Sequence, residues 1–417
     1  MKKINATKYK TRQCRICRRN NLIRVLDLGY MPTPNGYLKK DELSKQELAF
    51  PLGISVCPNC WLLQLTHIIP AEIMFKNYLY IPSTSQTMLK HFKSLAETTI
   101  SSFNIPKNSL VVDVGSNDGT LLSSFKEKGM KVLGIDPAIN LATVARLKGI
   151  ETISDFFTTD VVQKIVAKQG KAKVITATNV VAHIDDLHGF CENINLLLDK
   201  EGICVIEFPY LTDLIEKNEF DTIYHEHLSY FSLTPLMTLF ERHQLRIFFA
   251  KRVPVHGGSI RIFVCKKLAS YKTHKIINIF LTEERLKKIN RLSYYEDFSR
   301  RVKVIKRDLV KYLARVKKSG LRIVGYGASA KGNVLLNYCK IDDKILDYVV
   351  DSIPYKQGKY TPGSHLKIYP ESRLEEDMPD YALLLSWNFA EEILQKQNNY
   401  REKGGQFIIT IPYLRIE

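Results

Sequence analysis

The 417-residue chain has no run of 18 or more apolar residues, which excludes an ordinary membrane-spanning helix. Its first residues, Met1-Lys-Lys-Ile-Asn-Ala-Thr-Lys-Tyr-Lys-Thr11, lack the apolar segment of a secretory signal, so the chain reads as cytoplasmic. Low-complexity tracts are missing too. With 45% hydrophobic and 25% charged residues it is ordinary globular material, long enough for roughly two to four domains. Acidic residues are the minority charge: 43 Asp and Glu stand against 61 Lys and Arg, a net charge of +18. Such an excess favours nucleic acid, an acidic membrane surface or a phosphorylated small molecule. The basic residues are scattered, with short runs such as Lys287-Lys288 and Arg300-Arg301, and no aromatic-interleaved RNA-binding motif occurs. A phosphate-bearing small molecule therefore suits the charge better than a nucleic-acid groove, and no membrane partner is expected. The chain is read as a monomer, although its oligomeric state is not written in the sequence.

Cysteine is unevenly used. Four of eight form two knuckles, Cys14-Arg-Ile-Cys17 and Cys57-Pro-Asn-Cys60, while Cys191, Cys204, Cys265 and Cys339 stand alone as core filler. Without an oxidising compartment, paired Cys-x2-Cys turns point to tetrahedral zinc, because two thiolates on one tight turn span adjacent corners of the metal. The 39 residues between the knuckles exceed an ordinary zinc-ribbon insert, which keeps a redox pair or unbound thiols in view. Four thiolates leave a zinc ion no open position, so the site is expected to be structural.

Residues 1–75 show little regular periodicity beyond the knuckles and a Pro-rich turn, Met31-Pro-Thr-Pro-Asn-Gly36. An amphipathic helix is expected from about Thr87 to Ser102. From Leu110 short apolar runs alternate with helices, the signature of a doubly wound parallel sheet. Strands are expected at Leu110–Val114, Lys131–Ile135, Lys173–Ala177 and Gly202–Glu207, followed by a hairpin of Arg246–Phe249 and Ser259–Cys265 around His256-Gly257-Gly258. One or two long helices fill 275–318, and a second α/β pattern begins at Leu321.

Directly after the first of these strands comes Asp113-Val-Gly115-Ser-Asn117-Asp-Gly119. Its glycines let the backbone turn sharply and approach a ligand, and the next helix offers free amides. Asp136 ends the following strand, 23 residues after Asp113, where it can bind ribose hydroxyls, with Pro137 beside it. Gly-x-Gly-x-x-Gly, which a dinucleotide's pyrophosphate wants, is missing from this loop. A nucleoside ligand without phosphates fits, and S-adenosyl-L-methionine is one, with Asp155-Phe156-Phe157 where adenine should lie. Asn179 and His183 follow the third strand at the edge where ligands sit in open parallel sheets, so they should face the cofactor's reactive end.

Two imidazoles, two carboxylates and two phenols crowd into Asp221-Thr-Ile-Tyr224-His225-Glu226-His227-Leu-Ser-Tyr230. Histidine titrates near neutrality, and an adjacent Tyr or Glu can orient it or steady a developing oxyanion, so the stretch reads as an acid/base site.

In their order these motifs, with Asn179-Val-Val-Ala-His183, Glu207-Phe-Pro-Tyr210, His256-Gly-Gly-Ser259 and Gly325-Tyr326-Gly-Ala-Ser329-Ala-Lys331-Gly332, span nearly the whole chain. They resemble the S-adenosylmethionine-dependent sugar C-methyltransferases that place a methyl branch on carbon 3 of a nucleotide-linked 4-keto-6-deoxy sugar. The resemblance implies a small zinc-binding domain over 1–75, a class I methyltransferase Rossmann-like sheet over 76–270 and a helical connector over 271–318. A second Rossmann-like α/β domain over 319–417 would hold the nucleotide. It makes His227 the base, with Tyr224, Glu226, His183 and Tyr78 around the sugar. It also assigns His256, Gly257, Gly258, Tyr326, Ser329, Lys331 and Asn333 to the substrate.

By motif alone the carboxyl-terminal loop is close to a nicotinamide-dinucleotide fingerprint, since Asp351 follows Ala330 by 21 residues at a strand end. The resemblance instead assigns Ser329 and Lys331 to the diphosphate of a nucleotide sugar. A nicotinamide-dependent nucleotide-sugar oxidoreductase and a zinc-containing RNA methyltransferase are the alternatives.

Overall fold

A computed structural model describes residues 2–417 apart from 71–73, 75–82, 84 and 256. Tyr78 and His256 therefore lie outside the described residues. The elements gather into three sheets.

The first runs β1-β3-β4-β10, with β2 paired to β3. Its strands are β1 (Lys2–Lys3), β2 (Ile23–Met31), β3 (Leu48–Val56), β4 (Leu63–Leu65) and, from far along the chain, β10 (Ser229–Tyr230). The expectation of little regular structure before residue 75 is thus corrected, for two reasons. Register shifts at Arg24/Leu26 and Asp27/Gly29 break the alternation of β2, while β3 is buried from Ala49 to Val56 and so shows no period of two.

Helix α1 (Gln86–Ser102) starts where Ser85 caps it, the hydroxyl accepting from the Met88 amide. It leads into the seven-stranded second sheet, ordered β11-β12-β9-β8-β5-β6-β7. Strands β5 (Leu110–Val114), β6 (Lys131–Ile135), β7 (Thr152–Ile153), β8 (Ala172–Thr178) and β9 (Leu198–Pro209) are parallel. The hairpin of β11 (Leu245–Val253) and β12 (Ser259–Lys266) closes the sheet, with β12 antiparallel to β9. This order is the class I methyltransferase order. The chain winds outward from β5 to β7, then returns to β8 on the other side, so the crevice beyond the carboxyl ends of β5 and β8 is the switch point where such sheets bind ligands.

The third sheet, β15-β14-β13-β16-β17-β18, is parallel except at its last strand. It comprises β13 (Ile323–Tyr326), β14 (Val349–Val350), β15 (Ile368–Tyr369), β16 (Tyr381–Leu384), β17 (Gln406–Ile409) and β18 (Arg415–Ile416). The helix at 292–318 buries Tyr295, Phe298, Val302, Ile305, Leu309, Leu313 and Val316, a stripe at helical spacing. These residues join one hydrophobic cluster that draws Leu26 and Ile54 from the first sheet, Leu211 and Phe220 from near the second, and Leu335 and Leu383 from the third. Among the described residues no helix is long and apolar enough to cross a membrane.

Candidate active site

Tyr224–Tyr230 folds across the mouth of the second sheet because its end pairs into the first sheet: Ser229 sits opposite Gln64 and Tyr230 opposite Leu63. The Leu228 amide donates to the Ala182 carbonyl at 2.7 Å, which brings the loop after β8 alongside. The His183 and His227 rings stack with centroids 5.1 Å apart at 26°, and the Tyr224 ring lies 4.0 Å from His227. Nδ1 of His227 faces the Thr222 carbonyl at 2.9 Å. Only an N–H can make that contact, so the ring proton sits on Nδ1 and Nε2 is the basic nitrogen. Burial pushes His183 down to about 4, which keeps it neutral at physiological pH. His225 points away from this group: it is buried edge-on against Phe50, and burial lowers it to about 4 as well.

Glu226 is buried, and its carboxylate accepts from the Asn35 side chain at 2.7 Å. Asn35 lies in the Pro-rich turn. The sequence marks that turn but carries no sign that it reaches the acid/base stretch, since 191 residues separate the partners.

At the switch point Gly115 and Gly119 adopt φ of +70° and +76°. A Cβ on Gly115 would come within 2.8 Å of the Val180 side chain. Asp113 is buried, accepts from Thr176 Oγ1 at 2.6 Å and is pushed up to about 7 by burial. Asp136 accepts from the Asn117 and Ala138 amides, both at 2.8 Å, so the loop and the next strand end are held together. Each carboxylate oxygen keeps a second lone pair for a ligand hydroxyl. Asn179 has a left-handed backbone, donates its amide to Glu207 and buries an Oδ1 that meets no partner among the described residues. Asp155 and Phe156 are exposed at the rim beyond β7, and Pro137 is half-buried. Phe157 instead packs edge-on against Phe190, 5.8 Å away.

Of the carboxyl-terminal residues expected at the substrate, three make hydrogen bonds inside the fold, although Oδ1 of Asn333 is buried with no partner among the described residues. The Tyr326 hydroxyl donates to Glu371 at 2.6 Å, Ser329 caps the helix at 330–339 and donates to the Leu385 carbonyl, and Asn333 donates to the Pro34 carbonyl at 2.7 Å. Lys331 differs: its ammonium lies 4.4 Å above the Trp387 ring, and the charges of Glu219 and Asp221 face it. Trp387 Nε1 donates to Asp221 at 2.7 Å, joining the third sheet to the acid/base stretch. Gly257 abuts Glu219 so closely that a Cβ would stand 2.5 Å from Oε1, and Gly258 likewise abuts Asp213.

The chain is 36% identical over 404 residues to C-methyltransferase NovU of Streptomyces niveus, covering 97% of this chain and 96% of that one. The chain belongs to the C-methyltransferase family. Family models agree along this C-methyltransferase: a zinc binding domain matches residues 14–75, a methyltransferase domain 88–248 and the C-methyltransferase C-terminal domain 254–412. Among solved structures, magnesium protoporphyrin IX methyltransferase from Synechocystis PCC 6803 is 14% identical, covering 43% of this chain and 82% of that one at a TM-score of 0.33. The plantazolicin methyltransferase BpumL is also 14% identical, covering 43% and 85% at 0.36. The family assignment rests on the curated relative and the family models, not on these distant likenesses.

The residues of the C-methyltransferase fit S-adenosylmethionine: a glycine cradle with no room for a Cβ at Gly115, and a buried Asn179 oxygen with no donor among the described residues. The four cysteines fit zinc. Their sulfurs lie within 4.8 Å of one another, with Cys14 to Cys60 and Cys17 to Cys57 both at 3.4 Å. Tetrahedral thiolates about 2.3 Å from the metal stand about 3.8 Å apart.

Proposed function

We propose that the C-methyltransferase methylates carbon 3 of a nucleotide-linked 4-keto-6-deoxy sugar, and that His227 takes the C3 proton. The observation that carries this reading is the 2.9 Å contact of His227 Nδ1 with the Thr222 carbonyl, which calls for the ring proton on Nδ1 and supports Nε2 as the base. A proton beside a ketone leaves readily only if the charge passes to oxygen, so the site needs donors at the C4 oxygen as well as a base. Tyr224 and His183 flank the base and are assigned that role. Because His183 is held neutral, it donates as imidazole and keeps its proton when the enolate forms. Glu226, steadied by Asn35, orients the group; Tyr78 is assigned to the sugar as well. Bound S-adenosylmethionine supplies the methyl group as a sulfonium substituent, and Asp113, Asn117, Gly119, Asp136 and Asn179 hold it by the loops described above.

The nucleotide is assigned to the seam between the second and third sheets, with Lys331 for the diphosphate and Gly257 and Gly258 giving close backbone approach. A diphosphate sugar is favoured over a nicotinamide dinucleotide by Asp351, whose carboxylate, unlike that of Asp136, is neutralised by an ammonium, Lys356 at 3.1 Å. Tyr37 also donates to the Ala328 carbonyl in the turn where a pyrophosphate would lie. The zinc ion, closed by four thiolates, is assigned a structural role. The division into 1–75, 76–270, 271–318 and 319–417 is proposed with it.

Mass spectrometry of a reaction holding S-adenosylmethionine and a panel of nucleotide-linked 4-keto sugars tests the reading. One panel member should gain a single methyl group, located on C3 by NMR. Methyl on oxygen, methyl on RNA, or reduction of NAD by the sugar would overturn it.

A further inference from the structure

Arg15 lies between two zinc ligands, yet it turns away from the knuckle and into the protein, its side chain only 3% exposed. Nε donates to Asp185 at 3.1 Å, and Nη1 donates to the Leu228 carbonyl at 3.1 Å. Asp185 stands two residues after His183, and Leu228 follows His227 directly. One guanidinium thus grips both histidine loops, which are already linked to each other by the Leu228 amide and the Ala182 carbonyl. Its own backbone is fixed in turn, the Arg15 amide donating to Gln64 at 3.0 Å, on the strand beside β10.

Stability alone explains this arrangement poorly. Burying a guanidinium costs several kcal/mol unless every donor is paired, and Nη2 of Arg15 is buried with no hydrogen-bond partner among the described residues. Its acceptors do not need it either. The Leu228 carbonyl also receives the Leu65 amide at 3.0 Å, and the Asp185 side chain is 65% exposed to water. An apolar side chain of the same length would fill the space without the penalty. What only the planar fork supplies is two donors of fixed spacing, one to each loop.

We propose that Arg15 is a positioning residue: it holds His183 and His227 at their stacked separation, so that the zinc binding domain sets the geometry of the proton-handling pair. The role in turnover rests on the proposed function; the positioning itself does not.

The test uses the full-length, zinc-loaded protein with Arg15→Met, Arg15→Lys and Asp185→Asn. Without substrate, the ring resonances of His183 and His227 are followed by NMR, alongside zinc content and S-adenosylmethionine affinity. Arg15→Met is expected to keep zinc and bind cofactor within about twofold while moving both sets of ring resonances. Turnover should fall by up to ~100-fold, the scale of an ångström's misplacement, with KM little changed. Arg15→Lys, with one point donor, should restore turnover in part. Asp185→Asn keeps the shape and one acceptor oxygen of an exposed side chain; it should move His183 alone, and so stands in should Arg15→Met lose its zinc. Resonances of both rings unmoved in Arg15→Met, or of His183 unmoved in Asp185→Asn, would overturn the proposal. Because the rings are observed without substrate, a wrong sugar assignment would appear as absent turnover in the parent protein and leave this result standing.

Discussion

Glu219 is fully buried, and neither of its carboxylate oxygens meets a hydrogen-bond partner among the described residues. Burial pushes it up to about 7, against the opposing pull of Lys331 and Lys217. Its folded pKa therefore lies above the unfolded value of about 4.3, so its contribution is intact below that pH and is lost as pH rises toward 7. Glu219→Gln removes the charge and should stabilise the protein at pH 8 by up to about 3 kcal/mol, with little effect at pH 4. Urea unfolding at both pH values checks this; an equal change at both would show that shape, not charge, matters. His183 and His225 titrate with the opposite sign. Both are lowered by burial to about 4, so their contribution is complete above about 6.5 and lost as pH falls through 4.

A buried ion pair with a histidine beside it locks three elements together. Glu207 at the end of β9 accepts from Arg261 of β12 at 2.8 Å and contacts His91 Nε2 of α1 at 2.6 Å, with Arg261 Nη2 3.2 Å from the same nitrogen. Glu207→Gln would leave Arg261, itself 3% exposed, without its counter-charge. That should cost about 3–5 kcal/mol, whereas removing an exposed carboxylate such as Glu151 should cost under about 1 kcal/mol. Unfolding midpoints of the two variants decide it, and similar losses would contradict the pair's role. At this scale most of the second sheet was legible: short apolar runs alternating with helices gave β5 and β6 to the residue, and amphipathic spacing gave the start of α1 within one residue. The first sheet was not. Bulges hid β2, uniform burial hid β3, and β10 is two residues long with its partner 165 positions earlier. Such a pairing leaves no local pattern to read.

The three sheets converge on the acid/base stretch, and each supplies a contact the sequence order conceals. From the first come Arg15 and Asn35, from the second the loops of Asn179 and His183, and from the third Trp387 and Lys331. The paired cysteines, the glycine loop and the histidine stretch were legible because each carries its chemistry within ten residues or fewer. The residues that join them were not, because their partners lie 170 or more positions away: Asp185 and Leu228 for Arg15, Glu226 for Asn35. Tyr326, Ser329 and Asn333, read as ligand-facing, also serve inside the fold, in a bond to Glu371, in helix capping and in packing against the Pro-rich turn.

The central claim is that His227 removes a proton from carbon beside a ketone. The most direct measurement is exchange of that proton with deuterated water, followed by NMR on the accepted sugar with S-adenosylhomocysteine in place of the methyl donor. The parent protein should exchange the C3 position, and His227→Asn should abolish exchange while still binding the cofactor. Undiminished exchange in that variant would contradict the account.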